Sequence, residues 1–193
     1  MKNYLTALLA LSFMMSCAAP KKIGSYSNLT QEDYEKLVQK WTRSEKKYSG
    51  LYNVYQVSAT LMTSKLRFAV LDKMKEIKQW DPLRLEKERK KILSENNSIS
   101  KVYLSLFTPE KSHNDLVEPN SIWTVYLEYK GQKYPAKIKK THLKFIEIKS
   151  ILPHHTRWSK AYMLTFEVPM SQLESDSPRL VLSSFLGKTV LVF

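Results

Sequence analysis

Two stretches of this chain carry residue types that do chemistry. His154-His155 follow Pro153 and precede Arg157 and Trp158. One imidazole there would serve as a general base and the guanidinium as an anion clamp, the pattern of a hydrolase. Adjacent side chains on an extended backbone point to opposite sides, so the two rings make a poor chelating pair. The competing reading is a surface loop. His113-Asn114-Asp115 with Glu118 offers nitrogen and carboxylate ligands, but not in the D-x-[DN]-x-[DN]-G order of a calcium loop. The sequence therefore assigns no catalytic residue, no metal ligand and no cofactor.

Other chemistries lack their motifs. The glycines are Gly24, Gly50, Gly131 and Gly187, none close to another, so phosphate-cradling glycine loops and the G-x-S-x-G elbow are absent. A single cysteine, Cys17, excludes an intrachain disulfide and a cysteine-built zinc or iron–sulfur site within these 193 residues.

Charge offers a binding reading instead. The chain holds 31 Lys and Arg against 18 Asp and Glu, a net charge of +13, with 43% hydrophobic residues. That composition suits a globular protein. Residues 130–160 hold nine Lys and Arg and one acid, Glu147, for a net +8, whereas residues 102–129 hold one Lys and four acids, for −3. A concentrated positive patch attracts phosphate- or carboxylate-rich partners. The candidate anion-binding residues are Lys133, Lys137, Lys139 and Arg157. Edge protection of a strand explains the three lysines equally well.

The N-terminus reads MKNYLTALLALSFMMSC. Lys2 supplies a positive start, and Leu5 to Met15 is apolar apart from Thr6 and Ser12. That run is too short for a bilayer span, which needs about 20 residues, and fits the apolar region of a signal peptide. Met14-Met15-Ser16-Cys17 stands where a lipobox would be, with a small Ser16 before the cysteine. In these residues the sequence resembles the bacterial lipoprotein class. The resemblance covers residues 1–18 and implies cleavage before Cys17 and lipidation of Cys17. Ala18, rather than Asp, implies sorting to the outer membrane. The expected organisation is a signal peptide at 1–16, the lipidated cysteine and a flexible tether at 17–29, and one α+β domain at 30–193. Removing Lys2 with the leader would leave 13 − 1 = +12.

The elements that must position these residues follow from periodicity. Thr30 and Asp33 read as a capped helix start, with Leu29 and Tyr34 as its staple. A stripe of Tyr34, Leu37, Val38, Trp41 and Tyr48 predicts that this helix runs on through Tyr48. Tyr55, Val57, Ala59 and Leu61 alternate within a strand at 51–62. A helix capped by Ser64 follows, broken at Asp81-Pro82, which also starts a second helix ending at Asn96-Asn97. Strands are predicted at 101–107, 122–129, 132–140, 143–149, 161–168, 179–184 and 188–193. The hairpin 122–129/132–140 takes a two-residue turn at Lys130-Gly131. It pairs Leu127 with Tyr134 and Glu128 with Lys133, then Thr124 with Lys137 and Trp123 with Ile138. Pro135 makes the second strand an edge or a bulge. In that register Lys133, Lys137 and Lys139 share one face. The fold class is α+β: N-terminal helices around one strand, then an antiparallel strand-rich half for which a sandwich is one arrangement.

The expected function is that of a lipid-anchored envelope protein on the periplasmic side of the outer membrane. It is read as a non-enzymatic binding or adaptor module for an anionic envelope component or a protein partner, with no nucleic acid. Alternatives are a small-ligand or lipid carrier with an apolar pocket, and a hydrolase using His154 or His155. The oligomeric state stays open.

Overall fold

A computed structural model of the chain describes residues 29–193. The expected signal peptide, Cys17 and the expected tether up to residue 28 lie outside the described residues. The first helix, α1 (Gln31–Lys40), starts as its sequence dictates. Thr30 accepts the Asp33 N–H and donates its hydroxyl to the Asp33 carboxylate at 2.8 Å. Trp41 ends the helix, and residues that the helical stripe would have carried to Tyr48 form strand β1 (Thr42–Ser49) instead. Pairing is the reason: β1 lies antiparallel to β2 (Tyr52–Leu61), with Thr42 opposite Thr60 and Lys47 opposite Tyr55. The helix therefore precedes a hairpin turned at Gly50, whose φ of 60° suits glycine.

Two helices follow. α2 (Ser64–Lys78) is capped by Thr63, one residue before the expected Ser64. Gln79 ends it in the left-handed region, and Asp81 then caps α3 (Pro82–Asn96) with Pro82 in its first turn. Phe68, Leu71 and Ile92 seal the pair. Arg67 bridges to Glu95 and bonds Asn96 at 2.6 Å, while Lys101 reaches Glu95 at 2.7 Å.

The second half is strand-rich: β3 (Ser100–Phe107), β4 (Thr124–Tyr129), β5 (Gln132–Pro135), β6 (Lys137–Lys140), β7 (Lys160–Phe166), β8 (Arg179–Ser184) and β9 (Gly187–Val192). Two short helices interrupt it, α4 (Phe145–Ile151) and α5 (Met170–Glu174). Every pairing is antiparallel, in a five-stranded sheet ordered β1-β2-β3-β7-β6 and a four-stranded sheet ordered β5-β4-β8-β9. Their facing sides share one core, with Tyr55, Val57, Leu104 and Leu164 from the first and Val125, Leu127, Leu180 and Leu191 from the second. On the opposite face of the five-stranded sheet, α1, α2 and α4 pack over Tyr103, Ala161 and Met163. The class is thus α+β, with a sandwich backed by a helical layer. No helix among the described residues is long and apolar enough to cross a membrane.

Two predicted strands are corrected. Residues 143–149 were read as a strand, but 145–151 are helical. Glu147 accepts the Lys144 N–H at 2.8 Å, and Ile148 and Ile151, three apart, bury on one side. Three isoleucines near one another imitate strand composition, but the i, i+3 spacing is that of a helix face. Residues 132–140 were read as one strand. The turn at Lys130-Gly131 forms with φ of 48° and 75°, and Leu127–Tyr134 and Glu128–Lys133 pair as expected. After the Ala136 N–H bonds to the Val125 carbonyl, the chain leaves the sheet. Lys137 then pairs with Thr165 and Ile138 with Leu164 across the sandwich, not with Thr124 and Trp123. Pro135 cannot donate to a ladder, and it marks this corner. Both pieces are edges, one of each sheet.

Candidate functional site: a histidine cleft and two basic edges

The corner at Pro135-Ala136 decides where the basic residues stand. Lys133 pairs with Glu128, on the side of β4 opposite Leu127, so it faces away from the core over the outside of the four-stranded sheet. Its ammonium lies 5.1 Å from the centre of the Tyr126 ring. Lys137 and Lys139 pair with Thr165 and Met163, on the helix side of the five-stranded sheet. The three lysines do not share a face: Lys133 points out of one side of the sandwich, Lys137 and Lys139 out of the other. Lys137 is also spent on an exposed ion pair with Glu167, which holds that carboxyl below its usual range. Arg157 is exposed elsewhere, at the tip of a turn where the Ser159 N–H bonds to the Thr156 carbonyl.

The histidines sit where the segment after α4 folds over the hydroxyl-rich part of the sheet. His155 is buried, with Nδ1 2.8 Å from the Ser105 hydroxyl and its ring 6.0 Å from that of Phe145. Burial lowers its affinity for a proton. His154 Nε2 lies 3.5 Å from the Thr60 hydroxyl, at the outer limit of a hydrogen bond. Thr60 is 2.8 Å from the Thr42 hydroxyl, and Thr42 donates to the Val38 carbonyl at 2.8 Å. A hydroxyl has one proton. Thr42 gives its proton to Val38, so Thr60 gives its own to Thr42 and turns a lone pair toward His154. At 3.5 Å that lone pair makes only a weak contact with the ring nitrogen. Burial, the neighbouring imidazole and Lys149 push the His154 pKa down to about 4, so the ring is neutral at pH 7.

This arrangement has a chemical consequence. A general base must accept a proton from the nucleophile it activates. Thr60, the hydroxyl nearest the ring, already gives its proton to Thr42 and has none to offer the imidazole. His154 also edges an open cleft of about 520 Å³ between α1, β1 and the segment after α4. Glu35, Val38, Gln39, Thr42, Ser44 and Pro153 complete its lining. Sequence reasoning missed those partners because it placed Thr42 and Ser44 in a helix. The available signal was the polar alternation Ser58, Thr60 on β2, which asks for a polar neighbour strand.

The loop bearing His113, Asp115 and Glu118 is built as a structural plug. The His113 carbonyl accepts the Trp123 indole N–H at 2.8 Å, the Asn114 carbonyl accepts the Tyr162 hydroxyl at 3.2 Å, and Asp115 pairs with Lys160 at 3.0 Å. Glu118 is exposed. Among the described residues no three His, Cys, Asp or Glu side chains converge.

No protein-family model and no curated protein sequence matches the chain. Among solved structures it is similar to a crystal structure of a novel protein of unknown function from Burkholderia pseudomallei. That likeness has 12% identity and a TM-score of 0.40, and covers 86% of this chain and 89% of the other.

Proposed function

We propose that the protein is a lipid-anchored, non-enzymatic binding module of the bacterial envelope, held to the outer membrane at Cys17 with its domain facing the periplasm. The observation that carries this reading is the apolar run Leu5–Met15 ending at Ser16-Cys17. Residues 18–28 separate that cysteine from the described domain and extend over at most about 40 Å. The surface supports binding to an anionic component, because the basic residues of 130–160 outnumber acids nine to one. The hydroxyl nearest His154, that of Thr60, is engaged with Thr42, so the two are not arranged as base and nucleophile, which favours a binding role.

The test is a photo-crosslinker placed in turn at Lys133 and Lys139 in intact envelopes, at low and high salt. Exposed charges are screened beyond about 8 Å at physiological ionic strength, so capture of an anionic component should fall as salt rises. Salt-sensitive adducts at Lys139, on the side where Lys137 is already neutralised by Glu167, support an anion-binding edge. No adduct at either position, with the protein folded, removes both edges from the function. A second reading rests on the His154 cleft, whose volume is that of a small-ligand site. Its hydroxyls, the Gln39 amide, the Glu35 carboxylate and the neutral imidazole stand beside Val38 and Pro153, which suits a small molecule with both polar and apolar parts.

A further inference from the structure

The strand registers bring four connections to one end of the sandwich. β2 and β3 pair with Gln56 opposite Phe107, and β3 and β7 with Leu106 opposite Lys160. The β1–β2 turn, the 108–121 loop and the 156–159 turn therefore leave the five-stranded sheet at the same end. The β8–β9 turn joins them. Gly187 lies against the Tyr55 hydroxyl and the Lys47 side chain, and the Phe185 ring meets His113 edge-on at 5.2 Å.

The tips at this end carry side chains that a free surface does not need. Leu51 is 97% exposed, Tyr52 82%, Phe185 73% and Trp158 70%. Of the twelve exposed large hydrophobic residues among those described, six lie in or beside these connections: these four together with Tyr48 and Val117. Exposed Lys46, Lys47, Lys111, Arg157 and Lys188 surround them, against exposed Glu110 and Glu118. The loop between them is held firm. The Asp115 carbonyl accepts the Ser121 hydroxyl at 2.8 Å, its carboxylate accepts the Val117 N–H at 2.9 Å, and Lys160 ties it to β7.

We propose that this end of the domain docks on an anionic lipid bilayer, with the tips in the headgroup region and the cations against phosphates. Exposed apolar and aromatic tips ringed by cations match a bilayer surface, with its apolar interior beneath an anionic headgroup layer. Tyr and Trp favour the membrane–water boundary, because their rings have an apolar body and a polar edge. Lysine and arginine beside them complement the negative surface. The proposal rests on the lipid anchor at Cys17, which holds the domain within about 40 Å of a bilayer.

The test uses the full processed chain in vesicles containing phosphatidylglycerol. Single cysteines at Leu51→Cys, Phe185→Cys and Leu83→Cys carry an environment-sensitive fluorophore. Leu83 is an equally apolar, exposed position on α3, outside these four connections. Docking predicts a blue shift and several-fold stronger quenching by lipid-borne nitroxide at 51 and 185 than at 83, weakened by high salt. If the protein sediments with vesicles but all three labels stay in water, docking is overturned and the anchor stands. If it does not sediment at all, the anchor and the docking fall together. Crosslinking of position 51 to a protein in envelopes, with the label in water on vesicles, overturns docking in favour of a protein partner.

Discussion

The five-stranded sheet gives its two faces to different neighbours. Toward the second sheet it presents Val57, Leu61, Leu104 and Leu164, all essentially inaccessible to water. Toward the helices it presents apolar Tyr103 and Ala161 beside a group of hydroxyls, Thr42, Ser58, Thr60 and Ser105. The dry face is stabilised by buried apolar area, about 25 cal/mol per Å². The hydroxyl face depends instead on paired polar groups, through Thr42–Thr60, Ser44–Ser58 and the two histidines. One face is sensitive to volume, the other to the loss of a partner or to a change of protonation. The cleft opens beside the second.

Neighbours on β3 put the contrast to its strongest test. Leu104 and Ser105 point to opposite faces. Leu104→Ala removes fully buried volume and should cost about 2–5 kcal/mol in chemical denaturation. A cost near zero would mean the two sheets are not packed as described. The second effect is pH dependence. The unfolded His154 takes a proton near pH 6.5 and the folded one only near 4, so the unfolded state binds more protons between those values. Stability contributed by the neutral ring is complete above pH 6.5 and is lost as pH falls toward 4. After allowance for water reaching the half-buried ring, the loss is about 2 kcal/mol. His154→Gln should flatten that part of a melting-temperature profile. An unchanged profile would take the titration away from this face.

Ser105→Ala should cost less than its neighbour on β3, about 1–2 kcal/mol, by leaving His155 Nδ1 without its partner. Parity with Leu104→Ala would erase the distinction between the faces. The smallest effect belongs to the exposed edge. Lys137→Glu breaks a solvated ion pair with Glu167 and should leave the melting temperature unchanged within error.

Local signals explain which parts of this fold were legible in the sequence. Thr30, Asp81-Pro82 and Lys130-Gly131 each carry their own geometry, so the helix starts and the hairpin turn followed from a few residues. The alternation of Tyr55, Val57, Ala59 and Leu61 marked a buried strand face unaided. Long-range pairing was not legible. Thr42–Ser49 has no apolar alternation, and it is a strand because β2 needs a partner. Pro135 announced an interruption, but the choice of β7 as the new neighbour depends on chain 25 or more residues away. The candidate site suffered from the same gap. His154 was visible, whereas Thr42 and Thr60, which stand beside it, come together only through the β1–β2 register.

Attachment at Cys17 underlies both the proposed binding role and the docking end, since each needs the domain to stand at a membrane. Metabolic labelling with an alkyne fatty acid, comparing the natural chain with Cys17→Ser, decides it. Label is expected on the natural protein and none on the serine variant, which should accumulate as the unprocessed precursor. Equal label on both chains, or a natural protein without label, would contradict it.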